Sequence, residues 1–444
     1  MEQVITRNPE ATPLQRGLAG LSISTPALGR RNLIIAGMLA VAAFVMMAAF
    51  DHTIGISIRS VSYDPHYIYQ AYSFLHGKWN LDLPARMTDI VVLNGKHYIV
   101  YPPFPAIVFL PFVAVFGLHT SDVFLTLAIS ACNLGVLFLL FEQARESGFT
   151  RRLPWENVVI ATVLFFGSIN FWLSLGGRLW FTAQIISLTC TMLALLLALR
   201  HHFVWATVFL GFGFFSRATV ILGFPFLLYL AWEDAGTDPR LVQFVRSLWQ
   251  RRPDFSAVPW RRLIGPIAVA VLIVLAFAAR NLMIFGNPLE TGYDVLIQQR
   301  YPQVTTGPFN ISYVPANIIA NFFSFPRVIF TGPFDRHPTI DWLNGGYCVS
   351  VFVTTPLFLY MFWRNRKFSL TRAMLWGVLG LVVLAVLLFH AAGWYQFGAR
   401  YLFDGYAFAF LLLVLTDMRV DWRFGALGAL GIIINIMGAL QFWH

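Results

Sequence analysis

The sequence predicts an all-α fold, a polytopic transmembrane helical bundle, on three observations. Of its 444 residues, 58% are hydrophobic and only 12% charged, against about 25% charged in a soluble globular chain. A chain this poor in charge cannot cover a water-facing surface. Several apolar runs, at 33–50, 377–392 and 424–442, approach or reach the roughly 20 residues that cross a bilayer. The arginines cluster between such runs, as the bias of basic residues towards cytoplasmic loops requires.

That bias also accounts for the formal charge of +10, so nucleic acid is not called for as a partner. Cys132, Cys190 and Cys348 all sit in apolar runs and read as small core residues, not as a disulfide or metal framework. Residues 1–31 are polar and contain Gly, Pro and Ser, which predicts a flexible cytoplasmic tail ahead of a single membrane module, 32–444. The run after Arg30 and Arg31 is too long for the apolar core of a secretory signal, so it is expected to stay as the first span.

Each span follows from length and flanking charge. The first, about 32–50, exits the cytoplasm and opens a long outer segment, about 51–121. Within that segment the apolar piece 104–117 reaches only about 21 Å at 1.5 Å per residue. It suits an interfacial or re-entrant helix. Treating it as non-spanning places Arg145, Arg151 and Arg152 in the cytoplasm after a span at about 122–141. Spans at about 157–174 and 180–199 follow, then two short helices flanking Ser216 and Arg217. The arginine-rich stretch 233–262 is cytoplasmic. A span at about 263–280 opens a second outer segment, about 281–342. Four more spans bring the total to about 11, with the N-terminus inside and the C-terminus outside. Arg178, Arg217, Arg280, Arg300, Arg327, Arg336 and Arg400 then fall at the outer side. They oppose the bias, which points to another task.

Chemistry is expected in the two outer segments. Asp64 follows the first span directly and precedes a helical stretch at about 65–76, which it is placed to cap. A carboxylate there can also serve as a general base at the membrane surface. The second segment brings Arg280, Asn281, Glu290, Tyr293, Asn310, Arg327 and Asp335 to the same side. The chain has no GxxxxGK[ST], HExxH, GxSxG or CxxC. His66, His76 and His97 share a segment with Asp64, Asp82 and Asp89, but their irregular spacing assigns no metal site. A divalent metal stays open but is not indicated, and no cofactor is assigned.

The order of these pieces resembles a known family. Asp64 after the first span, Asn94-Gly95-Lys96-His97-Tyr98, Tyr101-Pro102-Pro103 and an apolar piece ending in Phe116-Gly117 are similar to the first periplasmic loop of GT-C membrane glycosyltransferases. That group includes the protein mannosyltransferases and lipid A aminoarabinose transferases. Asp64-Pro65 stands where the family has Asp-Glu, and Tyr101 where it has a lysine. Gly213–Arg217, Phe285-Gly286-Asn287-Pro288 with Gly292-Tyr293, and Gly398-Ala399-Arg400-Tyr401-Leu402 resemble further family segments, in the family's order.

The resemblance implies a GT-C-like bundle in a bacterial plasma membrane with an extracytoplasmic site. It implies a polyprenyl-phosphate sugar donor and a glycan, lipid or protein acceptor. Arg217 and Arg400, then Arg280 and Arg178, are the expected phosphate ligands. Asp64 is the expected base in a single inverting displacement. Glu290, Tyr293, His97, Tyr98 and Tyr101 are expected to bind sugar or acceptor, with Tyr67, Trp79, Trp394 and Tyr395 as further stacking candidates. The rival readings are a transporter or flippase of lipid-linked saccharides and a non-catalytic assembly subunit. Against the first, the helix interiors are almost free of charge, whereas transporters place ionisable groups near the midplane.

Overall fold

The computed structural model describes residues 28–82, 87–233, 255–330, 338–362, 369–391, 395–416 and 418–443, with the single positions 244, 247, 249, 250 and 393. The tail expected before residue 28 lies outside the described residues, as do Asp335, Arg336 and Trp394. Six described helices are long and apolar enough to cross a membrane, and the chain is a multi-pass helical protein. In chain order they are α1 (Arg30–Thr53), α4 (Asp122–Glu146), α6 (Leu179–Leu199), α9 (Trp260–Phe285), α11 (Leu370–Leu388) and α13 (Trp422–Trp443). Between them lie α2 (His66–Leu75), α3 (Phe104–Phe116), α5 (Pro154–Phe166), α7 (Phe203–Phe214), α8 (Phe224–Glu233), α10 (Tyr293–Arg300) and α12 (Tyr406–Val414).

The expectation of about 11 full spans is therefore refined. The other five fall on shorter or broken helices: α5 with Asn170–Leu173, α7, the 3₁₀ turn Ala218–Gly223 with α8, Val351–Thr354 with Pro356–Phe362, and Arg400–Gly405 with α12. The breaks have local causes. Pro356 lacks an amide donor, and Gly167 closes α5 with its N–H on the Val163 carbonyl at 2.7 Å.

Burial separates centre from rim: 83% of the apolar window in α6 and 72% in α4 is buried, against 17% in both α1 and α9. In lipid, apolar surface gives little drive for helix association, so close approach and polar bonds must supply it. Gly135 on α4 supplies the approach, since a Cβ there would lie 2.6 Å from the Ala36 carbonyl oxygen of α1. Polar pairs join α4 to α6 and the turn before it: Thr126 to Thr182 at 2.6 Å, Ser130 to Ser174 at 2.5 Å, and Asn133 to the Ile185 carbonyl at 3.2 Å.

Hydrogen bonds show which helix ends lie together. At one end Arg152 donates to the Val414, Thr416 and Met418 carbonyls, and Asn157 donates to Glu142 at 2.6 Å. The other end carries the connecting segments. There the Leu179 N–H donates to the Asp64 carbonyl at 3.2 Å, and Ser62 bonds Asp122. Both ends of α3 lie on this side. Its Phe104 N–H donates to the Phe215 carbonyl at 2.9 Å, and beyond its C-terminus Ser121 donates to the Ile58 and Ser60 carbonyls. It does not run the length of the bundle.

The chain is mostly helical, and its connecting segments add two short hairpins. The first segment folds a hairpin, β1 (Ile90–Leu93) with β2 (Lys96–Ile99), in the register Val91 to Tyr98 and Val92 to His97. Its turn is Asn94-Gly95, both left-handed at φ 50° and 74°, the geometry that two-residue hairpin loops prefer. A second hairpin pairs β3 (Arg327–Phe330) with β4 (Pro338–Asp341). The first hairpin, α2 and α3 enclose a separate apolar core with Ile68, Leu81, Ile99, Phe109 and, from α10, Leu296.

Candidate functional site

Asp64 is buried at the exit of the first connecting turn. The sequence placed it as the cap of α2, but the helix begins one residue later, with Pro65 at the cap position and no side-chain cap bond. Thr88 donates instead to Asp64 Oδ1 at 3.0 Å. Oδ2 has no hydrogen-bond partner among the described residues. The two bonds that fix Asp64, from Thr88 and from the Leu179 amide, set it one residue from Asp89 and one from Trp180.

Asp89 and Trp180 begin a continuous polar and aromatic cluster. Tyr101 donates to Asp89 Oδ2 at 2.7 Å, Trp180 Nε1 lies 2.9 Å from the Tyr101 hydroxyl, and Tyr301 donates to Asp89 Oδ1 at 3.0 Å. The Trp180 ring lies under Arg400 at 5.6 Å, and Tyr401 faces the same guanidinium at 4.8 Å. Tyr401 also faces Arg217 at 5.8 Å. Arg217 Nε lies 3.1 Å from Asp404 Oδ1, and Thr219 shares that carboxylate. Tyr293 meets the Tyr101 ring edge-on at 6.0 Å.

The arginines differ in what they are free to do. Arg217 is neutralised by Asp404. Arg400 is 7% exposed and has no carboxylate partner among the described residues. Its Nε donates to Gln396 Oε1 at 2.5 Å, and its carbonyl accepts from Gln184. Aromatic faces and neutral acceptors leave its charge available to an anion. Arg178, one residue before the Leu179 amide that bonds Asp64, is also without a carboxylate among the described residues and packs on Tyr63, Phe442 and Trp443. Arg280 donates to the Ile99 and Val100 carbonyls and to Asn281, and so ties α9 to the hairpin.

The phenols stay protonated. Burial first, then the Asp89 charge, pushes the Tyr101 and Tyr301 hydroxyls well up. Burial pushes Tyr293 up to about 12 against the opposing pull of Arg217. Each remains a hydrogen-bond donor at neutral pH.

Of the expected sugar-binding residues, Tyr101 and Tyr293 stand in the cluster. Among the described residues no side-chain hydrogen bond or ring contact joins His97, Tyr98 or Glu290 to it; Glu290 instead accepts from the Gly292 amide at 2.6 Å. Sequence reasoning did not single out Asp404, Trp180, Tyr301 or Gln396, and it counted Asp89 only among loop carboxylates. Asp404 had a signal, a lone carboxylate inside the apolar run 402–415. The described residues hold no group of three or more His, Cys, Asp or Glu suited to a metal ion.

No protein-family model and no curated protein matches the chain. Among solved structures it is similar to ArnT from Cupriavidus metallidurans bound to undecaprenyl phosphate. That match is 14% identical with a TM-score of 0.45, covering 89% of this chain and 61% of that one. It is also similar to the oligosaccharyltransferase of Archaeoglobus fulgidus. The apo form matches at 14% identity and a TM-score of 0.43, covering 93% of this chain and 55% of that one. The complex with an inhibitory peptide and a dolichol-phosphate matches at 13% and 0.43, covering 91% and 55%. Both neighbours are GT-C enzymes. The chain thus spans between about half and three-fifths of these neighbours' length.

Proposed function

We propose that the protein is a GT-C-type glycosyltransferase that moves a sugar from a polyprenyl phosphate to an acceptor on the extracytoplasmic face. One observation carries the reading: among the described residues, Asp64, directly after the first span, has a carboxylate oxygen without a partner, beside a cluster that holds a buried arginine with no carboxylate. The cluster lies at the membrane end where the connecting segments meet. A polyprenyl tail can stay in lipid there while its phosphate meets cations.

In this reading Arg400, with Arg178, binds the donor phosphate and stabilises the charge that grows on it as it leaves. Arg217, held by Asp404, adds a fixed donor beside it. The acceptor hydroxyl or amine attacks the anomeric carbon. The bond from that carbon to the phosphate oxygen breaks, and the acceptor proton passes to Asp64. A single displacement inverts the anomeric centre. Tyr101 and Tyr293 supply hydroxyl donors and an aromatic wall to the sugar.

The test is transfer of labelled sugar by the purified protein, with a panel of polyprenyl-phosphate sugars and acceptors extracted from the native membrane. The reading predicts release of polyprenyl phosphate in step with labelling of the acceptor. A folded protein that binds none of the donors and transfers nothing would overturn it and favour a transporter or an assembly subunit.

A further inference from the structure

Three donors from three separate parts of the chain converge on Asp89. Tyr101 follows the hairpin, Trp180 opens α6, and Tyr301 follows α10, 212 positions away. Asp89 is 9% exposed and takes a left-handed backbone at φ 53°, a conformation that Asp adopts more readily than most residues with a Cβ. A second polar contact runs beside it. Gln299 of α10 accepts from the Val92 amide at 3.0 Å and donates to the Val92 carbonyl at 2.9 Å. Both bonds fall on backbone groups of β1. Leu296, with Tyr293 and Val295, packs on the core that the hairpin shares, and beside that packing the polar bonds of α10 to the hairpin can each exchange with water at modest cost.

The other end of α10 carries Tyr293, which meets Tyr101 at 6.0 Å and Phe389 at 6.4 Å. Phe389 in turn packs on Tyr401 at 5.5 Å, and Tyr401 lies against both Arg217 and Arg400. The position of α10 therefore sets the cover over the arginines. We infer that Asp89 is a positioning residue whose bond to Tyr301 latches α10 across the two connecting segments and holds Tyr293 in place for a bound sugar phosphate. The inference rests on the glycosyltransferase reading for its ligand, but the latch itself does not.

Two variants test it in the full-length protein. Tyr301 is 37% exposed, so Tyr301→Phe removes one latch bond without emptying a core, and it serves even where Asp89→Asn does not fold. Amide hydrogen exchange over residues 293–301 should quicken about 5- to 10-fold in Tyr301→Phe, the loss of one ordinary hydrogen bond. Exchange in α4 and α6 should stay as in the wild type. The donor KM should rise, by no more than that factor, while kcat holds within about twofold, since a latch changes the fraction of molecules ready to bind. Unchanged exchange over 293–301 would overturn the latch. A fall in kcat with an unchanged KM would overturn the positioning role and put Asp89 in the chemistry. The exchange result stands whether or not the protein transfers sugar, so failure of the latch and failure of the transferase reading are told apart.

Discussion

Arg217 and Arg400 face the same tyrosine but are held by opposite means. Arg217 is fixed by a carboxylate and Arg400 by rings and a side-chain amide. Removing Asp404 alone strands a buried guanidinium, which typically costs about 3–5 kcal/mol. Asp404→Leu should therefore lower the melting temperature sharply, and pairing it with Arg217→Met should recover much of the loss. Additive losses in that double-mutant cycle would show that the pair is not coupled. Arg400→Gln should leave folding near wild type and weaken donor binding by at least about tenfold, the cost of a lost charge-assisted bond of roughly 1.5–3 kcal/mol. Binding isotherms with a polyprenyl-phosphate sugar would check this, and unchanged affinity would remove Arg400 from the phosphate site. Arg400 was legible in the sequence because it opposes the charge bias of its loop. Its distinction from Arg217 was not, since it depends on Asp404, which lies 187 positions from Arg217.

At the scale of elements, the apolar runs specified most helices, and the charge pattern placed their ends. The piece 104–117 forms a helix, α3, that stays among the shorter apolar helices, because its length falls below the bilayer core. The hairpin was missed although its signal was present: Asn94-Gly95 between Ile90–Leu93 and Lys96–Ile99 is a strong short-range mark of a two-residue turn. Read as part of a loop motif, it was not weighed as a turn. Gly95→Val should destabilise this hairpin by about 1–2 kcal/mol, because φ 74° crowds a Cβ. The measurement is faster amide exchange at Val91 and Tyr98, the pair that bonds across the ladder next to the turn. Between helices, Gly135→Leu should separate α1 from α4, since even a Cβ would meet the Ala36 carbonyl at 2.6 Å. A lower melting temperature is expected there, whereas the same change at Gly377, with no atom within 4 Å of an added Cβ, should be nearly silent.

For the molecule as a whole, the fold brings the two connecting segments to one end and leaves structural ion pairs, such as Arg145 with Glu142 at 2.8 Å, at the other. Composition alone made the membrane class legible. The meeting of Asp89 with Tyr301 was not, because no periodicity relates residues 212 positions apart. The charge bias predicts a membrane sidedness that labelling tests directly. In a cysteine-free background, cysteines at exposed Lys96 and Arg151 should react with an impermeant thiol reagent from opposite faces, Lys96→Cys from outside. Reaction of both from one face would contradict the topology.

The central claim rests on Asp64 as the base, so its direct test is single-turnover transfer by Asp64→Asn with donor affinity measured on the same preparation. The account predicts that donor binding stays within a few-fold of wild type while the transfer rate falls by about 10²- to 10⁴-fold, the usual contribution of a positioned base. Transfer at the wild-type rate by a folded Asp64→Asn would contradict it and move the base elsewhere in the cluster.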